Sequence, residues 1–200
     1  MNGGGDLDST MQIRGGTDGS LIGNTSDRLN VSAFIRPTTL PTYAAGFSWI
    51  VDNSATDVLT ISGSATKTIR IYRIIFFLTS NNSKESTLNG VRRSSLNTGG
   101  TFTLLTNVPH HTVNPAATAV VKAYTQNPSA LGSTVGNLIV SDIFVSGSAN
   151  TASVPYNLML DSLILEPITL VGLNELFAIN LNSESFSNNL ARATLFWTED

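Results

Sequence analysis

Apolar residues in this chain recur at every second position, in short runs interrupted by turn residues. A period of two puts alternate side chains on opposite faces of a strand, whereas a helix face repeats every three or four residues. The longest run is KTIRIYRIIFFLT, residues 67–79. Ile69 and Ile71 alternate with Arg70 and Tyr72, and Ile74 to Leu78 is apolar on both faces. That second half predicts a central strand covered on both sides, or one lying at an oligomer interface. Phe47, Trp49 and Val51 mark an earlier strand, and Val58 to Ser62 another, ended by Gly63. Ser86 to Ser95 reads as an exposed strand and Thr101 to Thr106 as the next, with Gly99-Gly100 turning between them. Further strands are expected near 138–145, 156–165, 176–182 and 191–198. In the last two, Phe177, Ile179 and Leu181, then Ala193, Leu195 and Trp197, hold every second position. Eight or nine such strands predict an all-β, two-sheet antiparallel sandwich, jelly-roll-like, with at most one short helix.

The one helix candidate is NPAATAVVKAY, residues 114–124. Asn114 can cap it, Pro115 suits a first helical position, and Val120, Val121 and Tyr124 can share a face. The same stretch can instead be an irregular turn leading into a strand. No internal repeat or heptad pattern accompanies it.

Composition fits the strand pattern. Ser, Thr and Asn supply 66 of the 200 residues, while only 12% are charged. Short polar side chains favour turns and strands over long exposed helices. Two hundred residues suffice to bury about 70% of the unfolded surface, so a core forms without staples. There is no cysteine, which removes disulfides, thiolate metal sites and cysteine nucleophiles. A net charge of −3 lacks the basic footprint of a nucleic-acid binder. The first ten residues hold two Asp, three Gly and no basic residue, unlike a signal peptide. Ile74 to Leu78, the longest aliphatic-aromatic run, falls far short of the ~20 residues of a spanning helix. No membrane partner and synthesis in a cytoplasm are therefore expected.

Three segments are expected. Residues 1–14 form a flexible arm containing Gly3-Gly4-Gly5. Residues 15–43 hold a small hairpin and a linker, with Asp18-Gly19 as a tight-turn signal and Pro37 and Pro41 in the linker. Residues 44–200 form the sandwich. The hairpin is too small to stand alone. Leu21, Ile22, Leu29 and Val31 are its candidate apolar assembly contacts, and Asp27 and Arg28 its candidate ion-pair partners.

Catalytic chemistry finds no anchor. His110 and His111 are the only histidines, and adjacent residues of an extended segment point apart, so they chelate poorly. Gly63-Ser64-Ala65 lacks the second glycine of a nucleophile elbow. Glu85, Glu166, Glu175, Glu184 and Glu199 are the only glutamates. Pairing Glu166 with Glu175 across a cleft is conceivable, but solvated loops explain both. Phosphate-binding glycine motifs are absent. No catalytic residue, metal or cofactor is assigned, and the protein is not expected to be an enzyme. Arg70, Arg73, Arg92 and Arg93 form a basic stripe only if their two strands pair; otherwise they read as members of solvated or interface ion pairs. Trp49, Trp197, Phe76, Phe77, Phe177 and Phe196 read as core.

Four motifs carry a family likeness. GTDGSLIGNTSDRLNV resembles an N-terminal pattern of structural proteins of tailed bacteriophages. TDVLTISGSATKTIRIYRI, NPAATAVVKAYTQNPSALG and the closing NELFAINL…ATLFWTE are similar to further stretches of that group, in order over residues 16–199. The resemblance implies a virion protein: a homo-oligomer, with a trimer as first expectation, that decorates the capsid or builds a neck, collar or tail element. Its partners would be copies of itself and capsid, portal or tail subunits. A receptor- or carbohydrate-binding module at a fibre or tail tip is the rival, with Tyr156 beside Asn157, or Tyr43, as its mild sugar-contact candidates.

Overall fold

Twelve strands, all paired antiparallel, make two sheets in the described part of the chain. The computed structural model describes residues 40–79, 84–145, 156–159, 166–185 and 190–200. The arm and hairpin at 1–36, with Leu21, Ile22, Asp27, Arg28, Leu29 and Val31, lie outside the described residues. The compact unit holding the sandwich runs from Thr39 to Asp200.

The first sheet contains β1 (Thr42–Ile50), β3 (Thr68–Thr79), β6 (Val108–Pro109), β9 (Tyr156–Met159), β10 (Ile168–Val171) and β12 (Leu190–Glu199). Its order is β10-β3-β12-β1-β6, with β9 also on β3. The second contains β2 (Ser54–Ser62), β4 (Lys84–Arg93), β5 (Thr101–Leu104), β7 (Val120–Gln126), β8 (Thr134–Val145) and β11 (Leu176–Ser185). Its order is β5-β7-β2-β11-β4-β8. The chain thus crosses from sheet to sheet along β1, β2, β3 and β4. The alternation read from the sequence is the alternation that packs: Ile69, Ile71, Ile74, Phe76, Ala193, Leu195 and Trp197 join Leu59, Ile61, Val121, Phe177 and Ile179 in one core. Tyr43 faces Trp197 across β1 and β12, and their rings stack at 5.8 Å. Between sheets, the Trp49 indole N–H donates to the Tyr124 carbonyl at 3.0 Å.

The structure decides between the two readings of 114–124, in favour of an irregular turn leading into a strand, and corrects two other expectations. No helix forms at 114–124: residues 115–119 are irregular and Val120–Gln126 is strand β7. The β-branched Val120 and Val121 favour a strand. The backbone N–H groups of Thr118 and Ala119 also donate to the Glu199 carboxylate, which fixes that stretch outside a helix. The strand expected to be exposed at 86–95 is β4, enclosed between β11 and β8, with Leu88 fully buried. Finally, β6 and β10 were too short to stand out and raise the strand number above nine. Gly99 and Gly100 do make a turn, with φ of 66° and 76°. Among the described residues no helix is long and apolar enough to cross a membrane.

Candidate functional site

Because Leu59, Ile61, Val121, Ala123, Phe177 and Ile179 point into the core, the residues alternating with them face the far side of the second sheet. Thr60 there pairs with Lys122 on one side and Ala178 on the other. A register shift on β11 sets Asp57 opposite Asn180 instead of continuing the alternation. Asp57 consequently joins a polar cluster on this far face.

Its carboxylate is inaccessible and fully engaged. Oδ2 accepts from Arg93 Nε at 2.7 Å and Asn97 Nδ2 at 2.8 Å; Oδ1 accepts from Arg93 Nη2 at 2.8 Å and Asn180 Nδ2 at 2.7 Å. Arg93 Nη1 continues to the Gly132 carbonyl and Thr134 Oγ1. Asn97 Oδ1 accepts from Gly132 N, so the loops after β4 and before β8 are tied to the sheet. A buried pair held by hydrogen bonds on every side acts as a rigid strut.

Beside this strut lies a cleft of about 280 Å³. Thr60 and Ser62 from β2, Lys122 and Tyr124 from β7 and Asn97 from the covering loop supply its polar surface. Leu96, Val120 and Leu173 form an aliphatic rim, each more than a third exposed. Thr60 is buried, with its hydroxyl closed to solvent. Burial raises the Tyr124 hydroxyl above its ordinary pKa, the Asp57 charge adds to this, and hydrogen bonding with the Thr60 and Asn97 side chains offsets part of it. Lys122 Nζ sits 4.3 Å from the centre of the Phe102 ring, and no carboxylate pairs with it among the described residues.

A second buried carboxylate lies at the end of β12. Glu199 accepts from Thr118 N, Thr118 Oγ1, Ala119 N and Trp197 Nε1, all within 3.0 Å. Tyr43 Oη donates to the Pro115 carbonyl at 2.9 Å. Strict alternation puts Glu199 on the apolar face of Ala193, Leu195 and Trp197. A carboxylate in register with an apolar stripe was the available signal of a buried role. Asp57 offered none, since the register shift that exposes it to Asn180 has no signature in SATDVLTIS.

The arginine stripe does not form, because β3 and β4 belong to different sheets. Arg70 with Asp200 and Arg92 with Glu175 are partly solvated ion pairs as expected, whereas Arg93 with Asp57 is a buried pair, which corrects the solvated reading for that residue. Arg73 instead lies 5.7 Å from the Phe196 ring centre, which Tyr72 and His110 also flank. His110 and His111 are exposed. Glu166 is exposed, while Glu175 binds Arg92 and accepts from Val171 N. Tyr43 is buried with its hydroxyl engaged, which removes it as a sugar platform; the side chains of Tyr156 and Asn157 lie outside the described residues. Trp49, Trp197, Phe76 and Phe177 are core, with Phe77 and Phe196 half-buried. Among the described residues no three His, Asp or Glu side chains gather as a metal site.

No family model, curated protein or solved structure matches the chain.

Proposed function

We propose that this chain is a structural subunit of a tailed-bacteriophage virion: a homo-oligomeric sandwich, a trimer in the simplest case, that decorates the capsid or forms part of a neck, collar or tail. Residues 15–36 anchor it, with Leu21, Ile22, Leu29 and Val31 as apolar contacts and Asp27 and Arg28 as ion-pair partners. The motif resemblance over 16–199 motivates the reading.

The observation that carries it is exposed aliphatic surface on β8, the last strand in its sheet among the described residues, two of whose residues, Val135 and Leu138, stand at register shifts against β4. Val135, Leu138 and Val140 are 62%, 52% and 65% exposed. Exposed aliphatic side chains on an outer strand favour association, and an assembly subunit gives them a partner to cover them. The two buried carboxylates support a scaffolding role, since both Asp57 and Glu199 hold strands and loops together.

Deleting residues 1–36 tests the anchor, because the compact unit that holds the sandwich runs from Thr39 to Asp200. The truncated chain is expected to fold with an unchanged melting temperature and to be missing from particles. Incorporation at full copy number would overturn the anchor. Quantitative mass spectrometry of purified particles tests the wider reading. Hundreds of copies place the protein on the capsid and about a dozen at the neck or tail, while absence from intact virions refutes the reading.

A further inference from the structure

The outer strands of a sheet present unpaired N–H and C=O groups, and folded chains protect them by short strands, bulges, charges or proline. Among the described residues, β5, β9 and β10 are four residues long, β6 is two residues with Pro109, and β8 is broken by two register shifts against β4. Strand β1 has none of these devices. It runs nine residues, TYAAGFSWI, without a charge or a proline, and pairs with β12 in one unbroken register. On its other side β6 covers only Tyr43 and Ala44, so no described strand lies beside residues 46–50. The His110 N–H donates to the Thr42 carbonyl on that side. A strand residue points its N–H and C=O to one side, and its neighbours point theirs to the other. The backbone groups of Gly46, Ser48 and Ile50 therefore point the same way as those of Thr42, into the open edge. Phe47, opposite Ala193 of the core, is still 37% exposed, and Ile50 is 67% exposed.

We infer that residues 46–50 of β1 pair antiparallel with the same residues of a second copy, about a twofold axis at Ser48, so that the first sheet continues from one copy into the other. In that register Ser48 and the partner's Ser48 exchange both backbone hydrogen bonds, and so do Gly46 and the partner's Ile50. Phe47 comes opposite the partner's Trp49, an aromatic cross-strand pair that covers the open flank of the Phe47 ring. No charge opposes another, because the strand carries none. The segment is thus complementary to itself, which is the requirement of a twofold contact and the reason the occupant is a second copy. Residues 51–53 leave the strand, so the partner's chain turns away before it would meet Val108 of β6, opposite Ala44. The exposed aliphatic side chains of β8 form a separate surface in the other sheet. The inference deepens the homo-oligomeric part of the proposed function, on which it rests, by naming one contact between copies. A twofold contact sets an even number of copies: a dimer, or a hexamer where trimers pair.

Sedimentation velocity of the full chain tests it. The parent protein is expected to hold an even number of copies, and Ser48→Lys half that number, because the variant sets two lysines directly opposite each other. Ser48→Glu should halve the mass as well. An equal mixture of the two variants should regain the parent's mass, since each lysine then meets a glutamate. Ser48 is exposed, so both variants should keep the parent's melting temperature. The chain has no cysteine, which makes Ser48→Cys a second reading. A hydrogen-bonded antiparallel pair sets its Cα atoms about 5.5 Å apart, within reach of a disulfide, so mild oxidation should link two copies. Val113→Cys, at a position 79% exposed, should not link. A monomeric or odd-numbered parent, an unchanged mass in Ser48→Lys, a mixture that stays at half mass, or equal linking at 48 and 113 would each overturn the contact. Parent protein present in particles together with an unchanged mass in Ser48→Lys would remove this contact alone and leave the assembly reading intact.

Discussion

Asp57 and Arg93 meet in a two-pronged ion pair, at 2.7 and 2.8 Å, with the carboxylate side chain wholly buried and the guanidinium side chain nearly so. The pair joins β2 to β4 although β11 lies between them. Removing one partner strands the other charge in a dry environment, which costs about 3–5 kcal/mol. Asp57→Ala and Arg93→Met are therefore each expected to lower unfolding free energy by about that amount in urea titrations. The double variant should be less destabilised than the sum of the two, because it leaves no lone buried charge. Strict additivity would mean the two side chains act independently.

Glu199 is the acceptor that decides the path of residues 115–119. Its carboxylate takes the backbone N–H groups of Thr118 and Ala119 and the indole N–H of Trp197. Glu199→Ala leaves those buried donors unmet, and about 3 kcal/mol or more of stability should be lost at 1–3 kcal/mol per group. Hydrogen exchange at Thr118 and Ala119 should accelerate more than at strand β3. Trp197 emission should report the altered indole contact. If the exchange rates at 118 and 119 do not change, another group fixes that segment.

What was legible in the sequence follows from the range of the forces involved. The period of two in Ala193, Leu195 and Trp197 is a local property, and it survives into the core unchanged. The Ala-rich 114–124 stretch is also local, and read alone it permits a helix. Its fate is set by a carboxylate 80 residues away in sequence, which no window around Pro115 contains. The cleft was invisible for a similar reason. Thr60, Lys122, Asn97 and Leu173 come from separate segments, and only the register of β2 with β7 and the loop after β4 unite them. The arginines were legible as charges but not by destination, because sequence did not assign β3 and β4 to different sheets.

Gly132 sits where the chain passes against the Ser95 carbonyl, and a Cβ there would overlap that oxygen. Its own N–H and C=O serve Asn97 and Arg93. Gly132→Ala must push the loop away and break both contacts with the buried strut. A loss of about 2 kcal/mol or more is expected, since two buried bonds fail together. By contrast Gly136→Ala, where a Cβ meets nothing within 4 Å, should leave the urea midpoint nearly unchanged. Equal effects at the two positions would refute the close-approach argument.

Asn182 and Ser183 are consecutive left-handed residues, both at φ 58°, within the irregular part of β11. Asn182 N donates to Asn180 Oδ1, which helps hold that turn. Serine has no comparable adaptation, and the left-handed conformation costs about 1–2 kcal/mol for residues with a Cβ. Glycine removes that strain but loses about 0.5–1 kcal/mol through its freer unfolded chain. Ser183→Gly is thus expected to stabilise by about 0.5–1 kcal/mol, and Ser183→Val to destabilise. A lower urea midpoint for the glycine variant would contradict the assigned backbone.

Alkaline pH gives the remaining test, through three tyrosines. Burial raises the hydroxyls of Tyr43, Tyr72 and Tyr124 above their ordinary pKa; the Glu199 charge adds to this at Tyr43 and the Asp57 charge at Tyr124, while Arg73 opposes it at Tyr72. The fold therefore favours the neutral phenol, and the unfolded chain ionises first, near pH about 10. Above that pH the unfolded state binds fewer protons than the native one, so stability falls as pH rises. This contribution is fully present below pH about 10 and is lost as pH climbs through the folded-state values. Urea midpoints taken from pH 8 upward should be flat and then drop. In Tyr124→Phe the drop should be shallower, because that phenol no longer titrates. A Tyr124→Phe profile as steep as that of the parent protein would show that burial of this hydroxyl does not govern the alkaline limit.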